Sequence, residues 1–121
     1  PFTPSIIDED IHKYIKNDKK VQCPYMVITF NSTKLAQQHL KAAIHPRDKT
    51  IRPQAVTKYH NPEYYKLIQE FKKITGVGAV LNTSFNLHGE PNVCQPKDAI
   101  HTLINSDLKF LAIGSYLLIK K

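Results

Sequence analysis

The chain has 121 residues, of which 41% are hydrophobic and 22% charged, a composition typical of one globular domain that excludes disordered and fibrous proteins. Its formal charge of +7 favours anionic partners, a class that includes nucleotides, phosphates, nucleic acids and acidic proteins. Because no apolar run approaches the roughly 20 residues that cross a bilayer, and no signal-peptide pattern opens the chain, we expect a cytoplasmic protein without a membrane partner.

The predicted elements of the first half alternate between helix and strand. Apolar residues at helical spacing, together with three acidic residues, predict a helix over residues 7–16. The β-forming run YMVITF predicts a strand over residues 25–30, and residues 33–43 fit either a helix or an irregular segment. The stretch 45–56 changes from a loop into a strand, with Pro53 at an edge or bulge.

The second half of the chain has clearer boundaries. Asn61 is a good N-cap, Pro62 fits the first helical position, and Gly76 closes the helix that follows. The run GAVLN then predicts a buried strand, and a third helix is expected from Pro96 to about residue 105. Two final apolar runs, FLAIG and SYLLIKK, predict a tight hairpin, so the order of elements indicates an α/β or α+β fold with helices packed on a sheet.

A cluster of neutral polar side chains follows the predicted strand GAVLN. The cluster comprises Asn82, Thr83, Ser84 and Asn86, and it contains no charged residue. Such side chains lie where α/β sheets commonly bind ligands, and in extended chain Ser84 and Asn86 point the same way, which suits a phosphate or an amide-like ligand. The alternative is that these side chains satisfy backbone groups of their own loop.

A second cluster precedes it, comprising His45, Asp48, Thr50, Arg52 and Gln54. Arg52 and Gln54 are two apart on a predicted strand and so project to one face, where an arginine binds phosphate or carboxylate through two hydrogen bonds. The alternative is a solvated strand edge with an ion pair between Asp48 and a neighbouring base.

Other chemistries receive little support from the sequence. Cys23 and Cys94 belong to no CxxC or Cys/His set, which predicts reduced thiols and no metal site. No nucleophile elbow surrounds Ser84, and the four glycines form no phosphate-binding loop. Lysines between residues 13 and 20 form either a solvated face or a surface for nucleic acid, but no RNA-binding motif accompanies them.

Four blocks in order resemble the C-terminal domain of the NodU/CmcH-type O-carbamoyltransferases. The stretch PFTPSII looks like the family's F-A-P-S block, TIRPQAV like T-x-R-x-Q, and SDLKFLAIGSYLLIKK like its ending. The longest block, TGVGAVLNTSFNLHGEP, is similar to the signature T-G-x-P-x-x-x-N-T-S-F-N-x-x-G-E-P. The resemblance covers nearly the whole chain, and the long signature is specific.

This resemblance implies a YrdC-like domain, a twisted mixed β-sheet with packed helices. In the family, ATP with Mg²⁺ and carbamoyl phosphate form carbamoyl adenylate at this domain. An N-terminal actin/hexokinase-like domain, which binds iron, then transfers the carbamoyl group to an acceptor hydroxyl. The resemblance assigns catalytic roles to Ser84, Asn86 and Arg52, and it implies substrate or nucleotide binding by Asn82, Thr83, Gln54, His45 and Thr50.

The chain also departs from the family pattern. It opens on Pro1, after the position of the K-x-R block that completes the ligand set with S-x-N. We therefore expect residues 1–121 to be a fragment that lacks the transferase domain and the start of the YrdC-like domain, inactive alone and without metal. Lys49 replaces the glycine of an H-x-D-G-T loop, and Gly78 replaces a frequent proline as a mild change. The alternative function is a non-catalytic module that binds a nucleotide or RNA through its basic surface.

Overall fold

A computed structural model describes residues 2–121 as an α+β fold, which confirms the predicted class. The chain divides into two compact units, the first ending at Thr83 and the second comprising Ser84–Lys121. Within the described residues the strands are distributed over three small sheets, two in the first unit and one in the second.

The first sheet forms around a central strand that is buried along its whole length. Strand β1 (Thr3–Ile7) pairs in parallel with β5 (Gln54–Val56) and antiparallel with β6 (Ala79–Asn82). Helix α3 (Pro62–Thr75) packs against this sheet through Tyr65 and Ile68. The predicted cap residues are confirmed, because the Asn61 side chain accepts a hydrogen bond from the N–H of Tyr64 and Gly76 ends the helix at a φ of 75°.

The second sheet is antiparallel and lies in the same unit. Its order is β2 (Ile15–Lys16), β3 (Phe30–Ser32) and β4 (Thr50–Ile51). The short helices α1 (Ile11–Tyr14) and α2 (Lys34–His39) accompany it, with 3₁₀ turns at Asp8–Asp10 and Lys41–Ala43. Residues from both sheets and these helices form one buried apolar cluster, which includes Ile6, Tyr14, Phe30, Ala36, Ile51 and Ala79.

The second unit is a helix beside a hairpin. Helix α4 (Pro96–Ile104) and strands β7 (Phe110–Ile113) and β8 (Tyr116–Ile119) confirm the predicted third helix and hairpin. Gly114 occupies the hairpin turn at a φ of 55°, in the left-handed region that glycine adopts without steric cost. The core of this unit contains Ala99, Leu103 and Leu111.

Two predicted elements of the first half are wrong. Residues 7–16 form no continuous helix, because Ile7 completes β1 opposite Val56 and Ile15 pairs with Ser32, which leaves only one α-helical turn between them. Residues 25–29 form a bend, a turn at residues 26–27 and an irregular segment instead of a strand, and only Phe30 of that run enters β3. Strand propensity depends on partners for the ladder, and among the described residues none pairs with 25–29.

The cysteines and potential metal ligands are dispersed. Cys23 is buried, Cys94 is exposed, and both are free thiols, as predicted. Burial raises the pKa of the Cys23 thiol. Residues 2–121 contain no group of three or more His, Cys, Asp or Glu side chains that could hold a metal ion. In the same range, every helix is too short or too polar to cross a membrane.

A buried carboxylate connects the end of the first 3₁₀ turn with α3. The Asp10 side chain is 4% exposed, with Oδ1 2.6 Å from Nζ of Lys13 and Oδ2 2.6 Å from Nζ of Lys72. Burial raises the pKa of the Asp10 carboxyl, but the two lysines outweigh burial and hold that pKa below its usual value. The backbone of Gly78 lies against this carboxylate, and a Cβ atom at residue 78 would overlap Oδ2 of Asp10.

Candidate functional site

Three of the predicted site residues line one cleft in the first unit. His45, Thr50 and Arg52 border a cavity of about 230 Å³, together with Phe2, Thr29, Ala43 and Ile51. Arg52 is exposed at this cleft, and no ion pair among residues 2–121 involves its guanidinium. The cleft therefore presents a positive charge that is available to an anionic ligand.

Asp48 holds the loop that carries His45 and Thr50. Its Oδ1 accepts hydrogen bonds from the N–H of Thr50 at 3.0 Å and the hydroxyl of Thr50 at 2.7 Å, and lies 3.0 Å from Nδ1 of His45. The two Thr50 donors, with His45, hold the pKa of Asp48 below its usual value. The contact with a neighbouring base that the alternative predicts for Asp48 is thus observed with His45, and it is an ion pair only when that imidazole is protonated.

Lys49 stands where the family loop has glycine, but this replacement does not disrupt the hydrogen bonds that close the loop. The N–H of Lys49 donates to the carbonyl of His45 at 3.0 Å, and the N–H of His45 donates to the carbonyl of Thr50 at 2.9 Å. Lys49 has a φ of 59°, so it adopts the left-handed conformation that the family's glycine adopts easily. The loop of this chain is therefore closed with a lysine at a glycine-like backbone position.

A hydrogen-bond network links three of the motif blocks across the first sheet. Ser5 is fully buried and faces Gln54 in the β1–β5 register. Its hydroxyl donates to Oε1 of Gln54 at 2.8 Å, and Nδ2 of Asn82 donates to the Ser5 hydroxyl at 2.9 Å. Ser5 was missed by sequence reasoning, although a hydroxyl inside the apolar run TPSII is the signal that points to it.

Arg52 and Gln54 do not share one strand, which corrects the prediction that both project from one strand face. Pro53 follows Arg52 and separates β4 from β5, and these two strands belong to different sheets. Proline has no N–H for a strand ladder, so the chain changes sheets at this point. Arg52 consequently lines the 230 Å³ cleft, while the side chain of Gln54 accepts a hydrogen bond from Ser5.

The boundary between the two units falls inside the predicted polar cluster. Asn82 ends β6, Thr83 and Ser84 are exposed, and Ser84 is the first residue of the second unit. Nδ2 of Asn86 donates to the carbonyls of Leu87 and Glu90, both at 2.9 Å. The amide nitrogen of Asn86 therefore stabilises its own loop, as the alternative interpretation predicts, and its Oδ1 is the remaining polar atom for a ligand.

The network predicts a measurable role for the buried Ser5 hydroxyl. Ser5→Ala leaves Oε1 of Gln54 and Nδ2 of Asn82 with only their mutual contact of 3.4 Å. We expect the free energy of unfolding to fall by about 2 kcal/mol, because two hydrogen bonds of a fully buried hydroxyl are lost and each contributes about 1 kcal/mol. Urea denaturation measures this loss, with Ser115→Ala at the exposed hairpin turn as the control. Equal stability of the two variants would contradict the role of the network.

Comparison with known proteins gives one family. A family profile described as carbamoyltransferase C-terminus matches residues 1–120. The chain is 37% identical over 124 residues to the nodulation protein NolNO of Sinorhizobium fredii, a match that covers 100% of the chain and 18% of that protein. It is 37% identical over 122 residues to the nodulation protein NolO of Bradyrhizobium diazoefficiens, covering 100% of the chain and 22% of that protein.

An archaeal relative is equally similar. The chain is 40% identical over 121 residues to an uncharacterized protein of Methanocaldococcus jannaschii, covering 100% of the chain and 19% of that protein. The chain thus spans about a fifth of the length of these curated relatives.

Proposed function

This chain belongs to the NodU-type family of carbamoyltransferase C-termini, and on that premise we propose that it helps to form carbamoyl adenylate from carbamoyl phosphate and ATP. In this reaction, water cleaves carbamoyl phosphate into phosphate and carbamate. A carbamate oxygen then attacks the α-phosphorus of ATP, and the bond to pyrophosphate breaks. Transfer of the carbamoyl group to an acceptor hydroxyl is proposed for the whole protein, with the iron-binding actin/hexokinase-like domain as the partner of these residues.

The observation that carries the proposal is the cleft that Arg52 shares with His45 and Thr50. A guanidinium without a protein partner binds phosphate oxygens through two parallel hydrogen bonds. The Asp48 contacts fix the backbone at Thr50, two residues before Arg52, so the chain that carries the guanidinium is anchored beside the cleft. No protein nucleophile is needed in this scheme, because positioning and charge stabilisation account for the chemistry of phosphoryl transfer.

The second unit offers neutral groups that suit the carbamoyl group. A carbamoyl NH₂ donates hydrogen bonds, and Oδ1 of Asn86 accepts them while its Nδ2 remains engaged in the loop. The exposed Ser84 hydroxyl both donates and accepts. Asn82 and Thr83 precede these residues, and we assign them supporting roles in ligand binding.

The metal ion of the reaction is expected to arrive with the nucleotide. No carboxylate lines the cleft of His45, Thr50 and Arg52, whereas Mg²⁺ prefers oxygen ligands and commonly keeps substrate phosphates among them. The described residues therefore suit the phosphates of a Mg²⁺–ATP complex and not a separate protein-held Mg²⁺ ion. Because both proposed substrates are metabolites of the cell interior, the proposal also places the protein in the cytoplasm.

Pyrophosphate release from ATP, with and without carbamoyl phosphate, tests the proposal in the natural polypeptide that carries these residues. We expect release to depend on carbamoyl phosphate and to fall about tenfold in Ser84→Ala, since one hydrogen bond to the reacting group is lost. Ser115→Ala, another exposed serine of the second unit, is the matched control and should keep the wild-type rate. Asn86→Ala requires a parallel stability measurement, because that side chain also closes its loop.

Two outcomes would contradict the proposal. The first is a folded protein that binds ATP but releases pyrophosphate at the same rate with and without carbamoyl phosphate. This result would mean that the fold is retained without this reaction. Binding of RNA that weakens steeply with added salt, without pyrophosphate release, would instead support the alternative of a non-catalytic binding module.

A further inference from the structure

A second cleft of the first unit lies beside the Ser5 network. Its cavity of about 360 Å³ is bordered by Gln54 and by the rings of Tyr25, Tyr64 and His60, together with Pro24, Thr57 and Asn61. None of these residues borders the 230 Å³ cleft of Arg52. The combination of aromatic side chains with the amides of Gln54 and Asn61 is typical of a pocket that orients a ligand by a few polar contacts.

The network fixes the direction of the Gln54 amide. Oε1 of Gln54 accepts from the Ser5 hydroxyl at 2.8 Å and lies 3.4 Å from Nδ2 of Asn82, so the oxygen faces the sheet. Nε2 is therefore the atom left for the cleft, and no hydrogen bond within residues 2–121 engages it. A ligand in the cleft consequently meets a hydrogen-bond donor, which selects for an acceptor atom.

The aromatic side chains supply a surface for a flat ring. Tyr25 is 72% exposed although it lies on the cleft, so most of its ring is open to a ligand. Tyr64 is half-buried and packs against the buried apolar cluster that includes Tyr65 and Ile68 of α3. Stacking on an aromatic side chain is favourable for every nucleobase, and an adjacent amide donor distinguishes bases by their acceptors.

The same two segments of the chain border both clefts. Tyr25 and Thr29 belong to one short segment and lie on the second cleft and the Arg52 cleft respectively. Arg52 and Gln54 stand two residues apart, so their Cα atoms are separated by about 7 Å at most. This separation is within the distance between the base and the phosphates of one nucleotide.

We propose that the cleft of Tyr25 and Gln54 binds the base of a nucleoside triphosphate, which stacks on Tyr25 and accepts a hydrogen bond from Nε2 of Gln54. The inference rests on the proposed function for the nucleotide itself and adds the residues that recognise its base. Ser5 and Asn82 act as positioning residues, because they hold the amide of Gln54 in the required orientation.

Dissociation constants for ATP and for inorganic tripolyphosphate test this assignment in the natural polypeptide. Tyr25→Ala should weaken ATP binding about tenfold and leave tripolyphosphate unchanged, because only ATP has a base to stack. Gln54→Glu keeps an acceptor for Ser5 but removes the donor from the cleft, and we expect about fivefold weaker ATP binding. Tyr116→Ala, a 76% exposed tyrosine of the second unit, is the matched control and should change neither constant.

Each outcome separates the base site from the proposed reaction. If Tyr25→Ala leaves the dissociation constant for ATP unchanged while pyrophosphate release still depends on carbamoyl phosphate, the base site alone is overturned. Tyr25-dependent ATP binding without that release would retain the base site and overturn the reaction. Equal weakening of ATP binding and tripolyphosphate binding by Tyr25→Ala would also overturn a mononucleotide base site. The same holds if single-stranded RNA displaces ATP and binds more tightly through Tyr25. Wild-type protein that binds no ATP would overturn both.

Discussion

Gly78→Ala is expected to lower the free energy of unfolding by about 3 kcal/mol, which corresponds to a fall in melting temperature of about 10 °C. A Cβ at this position would overlap Oδ2 of Asp10 and would lie 3.1 Å from the side chain of Ile7. Neither neighbour has room to move, since Ile7 is buried in β1 and Asp10 is buried with both oxygens engaged. The new methyl group must therefore strain the backbone or displace a charged carboxylate from its lysines.

Gly76→Ala is the matched control for this effect. Gly76 lies two residues away at a φ of 75°, and a Cβ there meets no atom within 4 Å. Its replacement should cost only about 1 kcal/mol, the cost of a left-handed alanine. If both variants lose the same stability, backbone conformation and not the contact with Asp10 explains the loss. Differential scanning calorimetry of the two variants and of the double variant Gly78→Ala/Asp10→Ala separates these causes, because the combined loss should be smaller than the sum.

Gly78 also corrects an expectation from the sequence. The resemblance presents its replacement of a frequent proline as a mild change, but in this chain any Cβ at residue 78 meets the Asp10 carboxylate. The acidic residues at 8–10 were interpreted as favourable charges at a helix N-terminus, whereas Asp10 binds Lys13 and Lys72. The partner Lys72 lies 62 positions further along the chain, so no local pattern could identify this pair.

The elements that the sequence predicted well are those with local signals. The N-cap Asn61, the first-turn Pro62 and the terminal Gly76 define α3 within its own residues, and the structure agrees at both ends. Strand β1 has no such local definition, because its partners β5 and β6 are distant in sequence. Helical spacing over residues 7–16 was therefore overridden by strand pairing, as tertiary contacts commonly override propensity.

The candidate site likewise contains residues that local motifs identified and contacts that depend on distant strand pairing. The motif blocks identified Arg52, His45 and Thr50, and the structure brings these three to one cleft. The link from Ser5 to Gln54 spans 49 residues and that to Asn82 spans 77 residues, so it depends on the register of three strands. Residue spacing on one assumed strand could not predict it, because Pro53 moves the chain from one sheet to another.

Arg52→Ala is expected to reduce carbamoyl-phosphate-dependent pyrophosphate release by about 100-fold to 1,000-fold. The proposed reaction places negative charge on phosphate oxygens, and loss of one preorganised donor to such charge commonly has this effect. Arg52 makes no ion pair among the described residues, so its removal should leave the melting temperature unchanged. A large kinetic effect with an unchanged melting temperature would distinguish ligand binding from a structural role.

Two further variants make this expectation specific. Arg47→Ala removes the same charge from an exposed position of the neighbouring loop that lies outside the cleft, and we expect the wild-type rate. Arg52→Lys keeps the charge but loses the paired hydrogen bonds, so it should recover only part of the activity. Full recovery by lysine would indicate general electrostatic attraction and not bidentate binding. Equal losses in the Arg47 and Arg52 variants would show that net charge, and not the cleft, determines the rate.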